Sequence, residues 1–333
     1  MRKSALVCLL ITAFIVLSIS GVIYAQEEKT VRVAYTQVLQ ELPTFVAQEM
    51  GFFKEVGLNV KFTEYGNAPL MYEAVAIGRA DISSISGIFT VLAMEASNPG
   101  LIKVYQIGLS GTKIFDGNFG ISPAKLVVAK DSNITSVSQL KGKRIAIYPS
   151  LLQRANCKLV LKAFGLEFNK DVEVTELAPP LHLEALRTGQ VDALMAVEPV
   201  PTLCKIKGVG RILINDVDER YSVDPILSGG AIFSTKFLKE NPTIAKKFIQ
   251  ANKKAVDWIY KHPQEAKKIL PKYIPIEEEV ALKASYLKWR MAEDKREENI
   301  SLLQKYIDFM VGQGLLSKRL DADKLLISEE DFK

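Results

Sequence analysis

The sequence predicts an α/β protein with two similar lobes, each built around a parallel sheet, and an internal repeat carries this prediction. Residues 78–87 (GRADISSISG) are echoed by residues 189–198 (GQVDALMAVE). In both copies a helix-like run ends at glycine, which accepts the left-handed backbone at a helix end. The apolar run after each aspartate is too short for a helix and is typical of a buried strand. A second echo, between residues 31–35 and 144–148, predicts that strand and helix alternate twice.

The first repeat is predicted to supply the strands and helices of one lobe. Its predicted strands are residues 31–35, 59–64, 81–85 and 102–107. Pro43 and Pro69 each open a helix, because the first turn of a helix does not need the N–H that proline lacks. Gly51 is predicted to end the first of these helices. The glycine-rich, polar residues 108–122 are predicted to form a loop that leads out of the lobe.

The second repeat is predicted to form the other lobe, between two crossing strands. Residues 124–129 are predicted to enter this lobe and residues 229–234 to return from it. The strands between them are predicted at residues 144–148, 172–177, 192–197 and 211–214. A helical tail is then predicted at residues 242–260, 263–270, 277–291 and 293–312. The predicted domains are residues 26–122 together with 229–333, and residues 123–228.

Composition places the chain among ordinary globular proteins and argues against nucleic acid as a partner. The chain has 333 residues, of which 48% are hydrophobic and 24% charged, with a formal net charge of +5. This positive charge is small and scattered, whereas nucleic-acid binding needs a concentrated basic patch. The length is sufficient for two domains with cores of their own.

The sequence lacks the residue patterns that are typical of enzyme active sites. His182 and His262 are predicted at the surface or at helix caps, and no cluster of His, Cys and Asp has the spacing of metal ligands. No phosphate-binding loop, nucleophile elbow or G-x-G-x-x-G segment follows a predicted strand. We therefore expect a protein that is not an enzyme, with no cofactor and no metal. Cys157 and Cys204 are either two small buried hydrophobic residues or a disulfide, and the sequence leaves both open.

The N-terminus has the pattern of a secretory signal. Arg2 and Lys3 precede an uncharged apolar run at residues 5–19, and the small residue Ala25 matches the end of a peptidase site. We expect residues 1–25 to be removed during export. The alternative is an uncleaved anchor, because the apolar stretch is long enough to span a bilayer.

Several short segments occur in an order that is similar to that of a known family. They are AQEMGFFKEVGL at 47–58, AIGRADI at 76–82, LKGKR at 140–144, GQVDA at 189–193 and the pair Glu198-Pro199. With these segments the chain from Thr30 onward resembles the solute-binding proteins of ABC importers, especially those for nitrate, taurine, alkanesulfonates and thiamine-precursor pyrimidines. Val197 stands where the family often has tryptophan, and Pro149 where it often has glycine. Because both positions face the expected cleft, these two departures from the family pattern predict an atypical pocket.

The resemblance implies a two-lobed periplasmic-binding-protein fold of type II, with two crossover strands and a helical C-terminal tail. It implies a monomer in the periplasm that captures a small organic anion or a heterocycle by hinge closure and delivers it to the membrane permease of an ABC importer. One alternative is a periplasmic sensor that contacts a membrane receptor. Another is an enzyme relative that makes a thiamine pyrimidine, although the cysteine-rich motif of those enzymes is absent from this sequence.

The ligand is expected where the carboxyl ends of parallel strands and the N-termini of helices converge. Small hydroxyl residues and glycines at such places leave backbone N–H groups free to bind an anion, with help from the helix dipole. The predicted ligand-binding residues are Thr36, Gln37, Asn67, Ala68, Ser84, Ser86, Gly87, Ser150, Leu151, Glu198 and Gly229. The same residue types also suit turns and helix caps, so each one alone has a structural explanation.

Charged and aromatic residues near these strand ends have two interpretations each. Arg154 either assists in binding an anionic group or forms a surface salt bridge. Glu198 either holds an amino group of the ligand or braces a helix. The aromatic side chains at these ends either stack on a flat ligand or belong to the core. These aromatic residues are Tyr35, Phe89, Tyr105 and Tyr148.

Overall fold

The computed structural model describes residues 29–117 and 119–333. The predicted signal sequence, with its cleavage after Ala25, lies outside these residues. The strands are β1 (Lys29–Tyr35), β2 (Leu58–Glu64), β3 (Ile82–Gly87), β4 (Ile102–Ser110), β5 (Ala124–Ala129), β6 (Arg144–Ile147), β7 (Glu173–Glu176), β8 (Ala193–Val197), β9 (Gly210–Ile214), β10 (Ile226–Ser234) and β11 (Lys288–Met291).

Helices lie between most of these strands and dominate the C-terminal part. They are α1 (Leu42–Glu49), α2 (Phe52–Glu55), α3 (Ala68–Ala76), α4 (Ile88–Ser97), α5 (Leu151–Ala163), α6 (Pro179–Arg187), α7 (Val200–Ile206), α8 (Val217–Tyr221), α9 (Thr235–Glu240), α10 (Pro242–Lys261), α11 (Pro263–Lys267), α12 (Glu278–Lys283), α13 (Arg296–Gly312) and α14 (Ala322–Leu325). Proline stands in the first turn of α1 and α3, as predicted.

Two sheets organise the described residues. The strand order is β11-β4-β10-β3-β1-β2 in the first sheet and β7-β6-β8-β5-β9 in the second. The repeated strands β1 and β6 hold equivalent places, because β1 runs parallel to β2 and β3, and β6 runs parallel to β7 and β8. The predicted α/β architecture with two sheets is confirmed.

The crossing strands run antiparallel to their neighbours, which corrects the expectation of purely parallel sheets. β5 pairs with β8 and β9, and β10 pairs with β3 and β4, all in the antiparallel sense. β10 is buried along its whole length and passes close to neighbouring side chains. A Cβ placed at Gly229 would lie 2.7 Å from Ile85, and one at Gly230 would lie 2.9 Å from Ile88. Glycine therefore lets this strand pack closely.

The sequence echo corresponds to a structural echo at Arg32 of β1 and Arg144 of β6. Asp81 accepts a hydrogen bond from the backbone N of Arg32 at 2.8 Å and further bonds from its guanidinium. Asp192 does the same for Arg144, also at 2.8 Å from the backbone N. The glycine three positions before each aspartate adopts a positive φ, 75° in the first copy and 70° in the second. Each aspartate, just before β3 or β8, therefore binds the neighbouring parallel strand, β1 in the first copy and β6 in the second.

Hydrophobic packing covers both faces of the second sheet and ties the tail to the first. Along β5, Leu126 and Val128 join one buried cluster and Val127 joins another, as the alternation of a strand requires. In the first sheet's core, the rings of Phe53 and Phe248 stack at 4.8 Å and join α2 to α10. The C-terminal helices therefore belong to the core that surrounds the first sheet.

Two segments connect the sheets, one from β4 to β5 and one from β9 to β10, and they contact each other. The backbone N of Thr112 donates to Asp224 Oδ1 at 2.9 Å. The backbone N of Ser122 donates to Glu219 Oε1, also at 2.9 Å. The connections therefore lie side by side, an arrangement that a hinge between two halves needs.

The tail contains a strand where a helix was predicted. The helix expected at residues 277–291 stops at the end of α12, and β11 pairs with β4 at the edge of the first sheet. Trp289 and Met291 are buried while their neighbours are half-buried, which is the alternation of a strand. The Tyr260 hydroxyl accepts a hydrogen bond from the backbone N of Trp289 at 2.6 Å. Contacts with distant residues therefore override the local helical pattern.

Other side chains also differ from expectation or settle an open alternative. His182 is fully buried, not at the surface, with Nε2 2.8 Å from the carbonyl oxygen of Leu177. Cys157 and Cys204 are buried free thiols, and burial raises the pKa of each to about 12. No helix among the described residues combines the length and the apolar character needed to cross a membrane.

Candidate functional site

A cavity of about 90 Å³ lies between the two sheets, with walls from both. β3 and β10 contribute Ile85, Gly87 and Gly229 from the first sheet. Val197 at the end of β8 and Pro123 just before β5 contribute from the second sheet. The cavity therefore lies at strand ends of both halves, where the sequence placed the ligand.

Three helix N-termini reach this cavity. Ala68 begins α3, whose first turn is capped by Asn67 through a 3.0 Å bond from the backbone N of Leu70. Gly87 precedes α4 without any side-chain cap, and Ser150 caps α5. Because backbone N–H groups and the positive end of the helix dipole converge at such termini, they favour a negatively charged group.

Five of the predicted ligand-binding residues line the cavity. They are Thr36, Ala68, Gly87, Ser150 and Gly229. Ser86 lies in β3 opposite Gly230 of β10, but its side chain lies outside the described part of the structure. Whether any of these residues binds ligand stays a prediction.

The other predicted ligand-binding residues do not line the cavity. Gln37 lies at a neighbouring depression and Asn67 caps α3. Leu151 is exposed, and the next residue, Leu152, lines the cavity instead. Ser84 and Glu198 are both buried away from the cavity wall.

Ser84 is directed towards a buried carboxyl group. Its hydroxyl lies 3.1 Å from the carbonyl oxygen of Ala34 and is hydrogen-bonded with Glu41. Glu41 also accepts a 3.0 Å hydrogen bond from the backbone N of Thr36, which lines the cavity. Burial raises the pKa of Glu41 to about 8, although both hydrogen bonds oppose this shift. Glu41 thus supports the strand end behind the cavity wall.

Glu198 braces the start of α7. Its carboxylate accepts hydrogen bonds from Thr202 Oγ1 at 3.0 Å and from the backbone N of Thr202 at 3.3 Å. It also accepts a 3.4 Å bond from the backbone N of Ser285, which comes from the C-terminal part of the chain. Lys125 Nζ lies 4.0 Å away, with both side chains almost fully buried. Burial raises the pKa of Glu198, and the charge of Lys125 opposes that shift.

The aromatic and basic candidates lie in three different environments: the cavity wall, the core and the surface. Among the four aromatic residues, Tyr148 lines the cavity. Tyr35, Phe89 and Tyr105 pack in or against the core of the first sheet. Arg154 forms a half-exposed salt bridge with Glu176, which is the surface interpretation.

Several cavity residues were not predicted from the sequence. Gln40, Thr90, Gln153 and Asp218 all line the cavity. For Gln153 a signal existed, because it lies in the first turn of α5, three residues after Ser150. For Asp218 none existed, because it lies in α8, a helix that the sequence pattern did not indicate.

The cavity wall is mostly apolar, and its polar groups carry little charge. Among the described residues that line it, none is lysine, arginine or histidine, and Asp218 is the one carboxylate. Within the described part of the chain, no group of three His, Cys, Asp or Glu residues is placed to hold a metal ion. The arrangement can therefore bind a small solute through N–H groups, hydroxyls and amides.

Two sheets joined by paired connections around a central cavity define the two-lobed fold of periplasmic binding proteins. The alkanesulfonate-binding protein SsuA from Xanthomonas axonopodis pv. citri, solved with bound MOPS, has this fold. Its TM-score with this chain is 0.71, with 19% identity, covering 90% of this chain and 99% of SsuA. The chain belongs to the NMT1/THI5-like family, whose model matches residues 39–266.

Two relatives illustrate the range of that family. A Bacillus subtilis protein named for binding aliphatic sulfonates is 26% identical over 297 residues, which are 88% of this chain and 84% of that protein. A 4-amino-5-hydroxymethyl-2-methylpyrimidine phosphate synthase from Candida albicans is 26% identical over 237 residues, 68% of this chain and 65% of that protein. The family resemblance predicted from the sequence is thus confirmed, and the family includes both a binding protein and an enzyme.

Proposed function

We propose that this protein is the extracytoplasmic solute-binding component of an ABC importer. It captures a small organic anion or heterocycle, of the sulfonate, nitrate, taurine or thiamine-precursor type, by hinge closure. The moving halves are residues 26–122 with 229–333, and residues 123–228. The observation that carries this proposal is the cavity between the sheets, whose walls come from both halves and whose edge holds three helix N-termini.

The chemistry of the wall supports an anionic group in the solute. Backbone N–H groups at the helix ends and the hydroxyls of Thr36, Thr90, Ser150 and Ser228 provide donors. An anion held by such neutral donors needs no lysine or arginine. Such binding is consistent with the described residues of the cavity wall, which include no basic side chain.

Closure follows from the placement of the wall residues. Thr36 belongs to the first half and Tyr148 to the second, and both face the same cavity. A solute that contacts both walls binds the closed arrangement more tightly than the open one, so it shifts the population towards closure.

The cellular setting in this proposal is the periplasm, reached with a signal peptide that is cleaved after Ala25. The protein acts there as a monomer and delivers its solute to a membrane permease, without catalysing a reaction. Support comes from the relative named for binding aliphatic sulfonates, which matches a larger share of this chain than the synthase does. A sensor that signals to a membrane receptor would use the same capture step.

A cavity-filling variant tests the proposal. Ala68 is buried at the start of α3 and lines the cavity, so Ala68→Phe places a ring in the space for the solute. The wild-type melting temperature is expected to rise with one of four probes: an alkanesulfonate, taurine, nitrate or an aminopyrimidine. A probe at 100 times its Kd adds about 2.7 kcal/mol of stability. The variant is expected to show no such rise.

Leu70→Phe is the matched control for this experiment. Leu70 lies on the same helix, is 46% exposed and does not line the cavity, so its variant should respond to the probe as the wild type does. A rise that persists in Ala68→Phe would place the binding site elsewhere. If no probe of these classes raises the wild-type melting temperature, the proposed function is wrong.

A further inference from the structure

Three side chains of the cavity wall have polar atoms without a partner. Gln40 Oε1, Thr90 Oγ1 and Gln153 Oε1 are buried, and none has a hydrogen-bond partner among the described residues. Thr90 is 0% and Gln153 2% exposed, and all three residues line the cavity. Buried polar groups are nearly always hydrogen-bonded, so these atoms indicate the position of a polar solute.

A buried carboxyl group faces the same space. Asp218 is fully buried, and it accepts hydrogen bonds from Ser122 Oγ at 2.7 Å and from Asn156 Nδ2 at 2.8 Å. Each carboxylate oxygen therefore has one donor and further lone pairs. Burial raises the pKa of Asp218, while the two hydrogen bonds favour the charged form.

The one cation that acts electrostatically on Asp218 among the described residues already has other partners. Lys125 acts on Asp218 electrostatically. Its ammonium donates to the carbonyl oxygens of Ser122 at 3.1 Å and Asn215 at 3.2 Å, and it lies 4.0 Å from Glu198. A buried carboxylate is stabilised by a positive partner in contact with it, and the described residues provide none for Asp218.

We propose that Asp218 determines specificity for a zwitterionic solute, one that carries an anionic group and an ammonium group a few bonds apart. The anionic group binds at the N-termini of α3, α4 and α5, and the ammonium group donates to the Asp218 carboxylate. This inference rests on the proposed function and narrows its ligand class. It also replaces Glu198, which sequence analysis considered for an amino group, by a carboxylate that lines the cavity.

The two charged ends of such a solute would contact both halves. Ala68, Gly87 and Thr90 belong to the first half, whereas Asp218 belongs to the second. A simple alkyl anion satisfies the helix ends but leaves the carboxylate without a positively charged partner. A zwitterion satisfies both, so it has the larger preference for the closed state.

Isothermal titration with two matched solutes tests this inference. The probes are 2-aminoethanesulfonate and ethanesulfonate, which differ by the ammonium group. We expect the wild type to bind 2-aminoethanesulfonate at least ten-fold more tightly. Asp218→Asn keeps the shape and both hydrogen-bonding neighbours but removes the charge. It should weaken 2-aminoethanesulfonate binding roughly 30-fold and leave ethanesulfonate binding nearly unchanged.

Asp216→Asn is the control. Asp216 lies two residues earlier, forms a half-exposed salt bridge with Arg220 and does not line the cavity, so its variant should keep the wild-type preference. Equal wild-type affinity for the two sulfonates, or binding of an aminopyrimidine alone, would overturn the inference while the proposed function stands. Binding of no probe would overturn both. The comparison of solutes on the wild type remains decisive even if Asp218→Asn does not fold.

Discussion

Replacing Glu198 by alanine is expected to lower the free energy of unfolding by about 3–5 kcal/mol, the usual cost of breaking a buried ion pair from one side. Glu198 is 0% and Lys125 1% exposed, so neither charge is solvated by water. Without the carboxylate, the ammonium of Lys125 retains two carbonyl oxygens and no opposite charge within 4.0 Å among the described residues. Thr202 and the backbone of Ser285 also lose their acceptor. Denaturant titration at neutral pH measures the loss.

Glu277→Ala is the matched control for this variant. Glu277 also pairs with a lysine of the second half, Lys207, at 2.5 Å, but both side chains are about half exposed. Exposed ion pairs contribute roughly 0–1 kcal/mol, so this control should lose little stability. A loss in Glu198→Ala no larger than that of the control would show that the buried pair does not stabilise the fold.

Stability is also expected to fall as the pH rises, because of Glu41. Its pKa is about 8 in the folded protein, against 4.5 as the ordinary value, and burial is the main cause. Between these values the folded state keeps a proton that the unfolded chain has released. The contribution is therefore fully present below pH 4.5 and is lost as the pH rises through about 8. A shift of this size corresponds to about 5 kcal/mol.

Glu41→Gln is expected to remove most of this pH dependence, since an amide has a similar shape and does not ionise. Denaturant titrations at pH 5, 7 and 9 compare the variant with the wild type. Glu219, whose burial raises its pKa to about 7, contributes a decline of the same sign in both proteins. The difference between the two curves therefore isolates Glu41. Parallel curves would mean that Glu41 is already ionised at neutral pH.

The fold was predictable where its cause is local. Gly78 and Gly189 end helices with a positive φ, and proline opens α1 and α3, each for a reason visible in a few residues. β11 was not predictable in this way, because Lys288 pairs with Leu109 from a distant part of the chain. The burial of Trp289 decides its conformation, and that burial depends on tertiary packing.

The sequence predicted the region of the candidate cavity but not the full set of side chains that line it. Parallel strands place their ends together, so Thr36, Gly87 and Ser150 could be assigned to one region from topology alone. Which side chains face the cavity depends on rotation about each element. Leu152 faces it and Leu151 does not, because successive residues of a helix point about 100° apart.

Asp218 shows the limit of sequence analysis most clearly. Its hydrogen-bond donors, Ser122 and Asn156, precede it by 96 and 62 residues. No local pattern distinguishes it from Asp216, which stays half exposed. A carboxylate at the cavity is therefore a property of the tertiary structure.

Capture of a solute by closure is tested most directly by a distance between the two halves. Glu73 on α3 and Lys162 on α5 are both exposed, so Glu73→Cys and Lys162→Cys can carry a pair of fluorescent labels. The native thiols Cys157 and Cys204 are buried and should not react. With a solute at saturation, shown by calorimetry, we predict that energy transfer between the labels rises. Unchanged transfer at full occupancy would contradict the account.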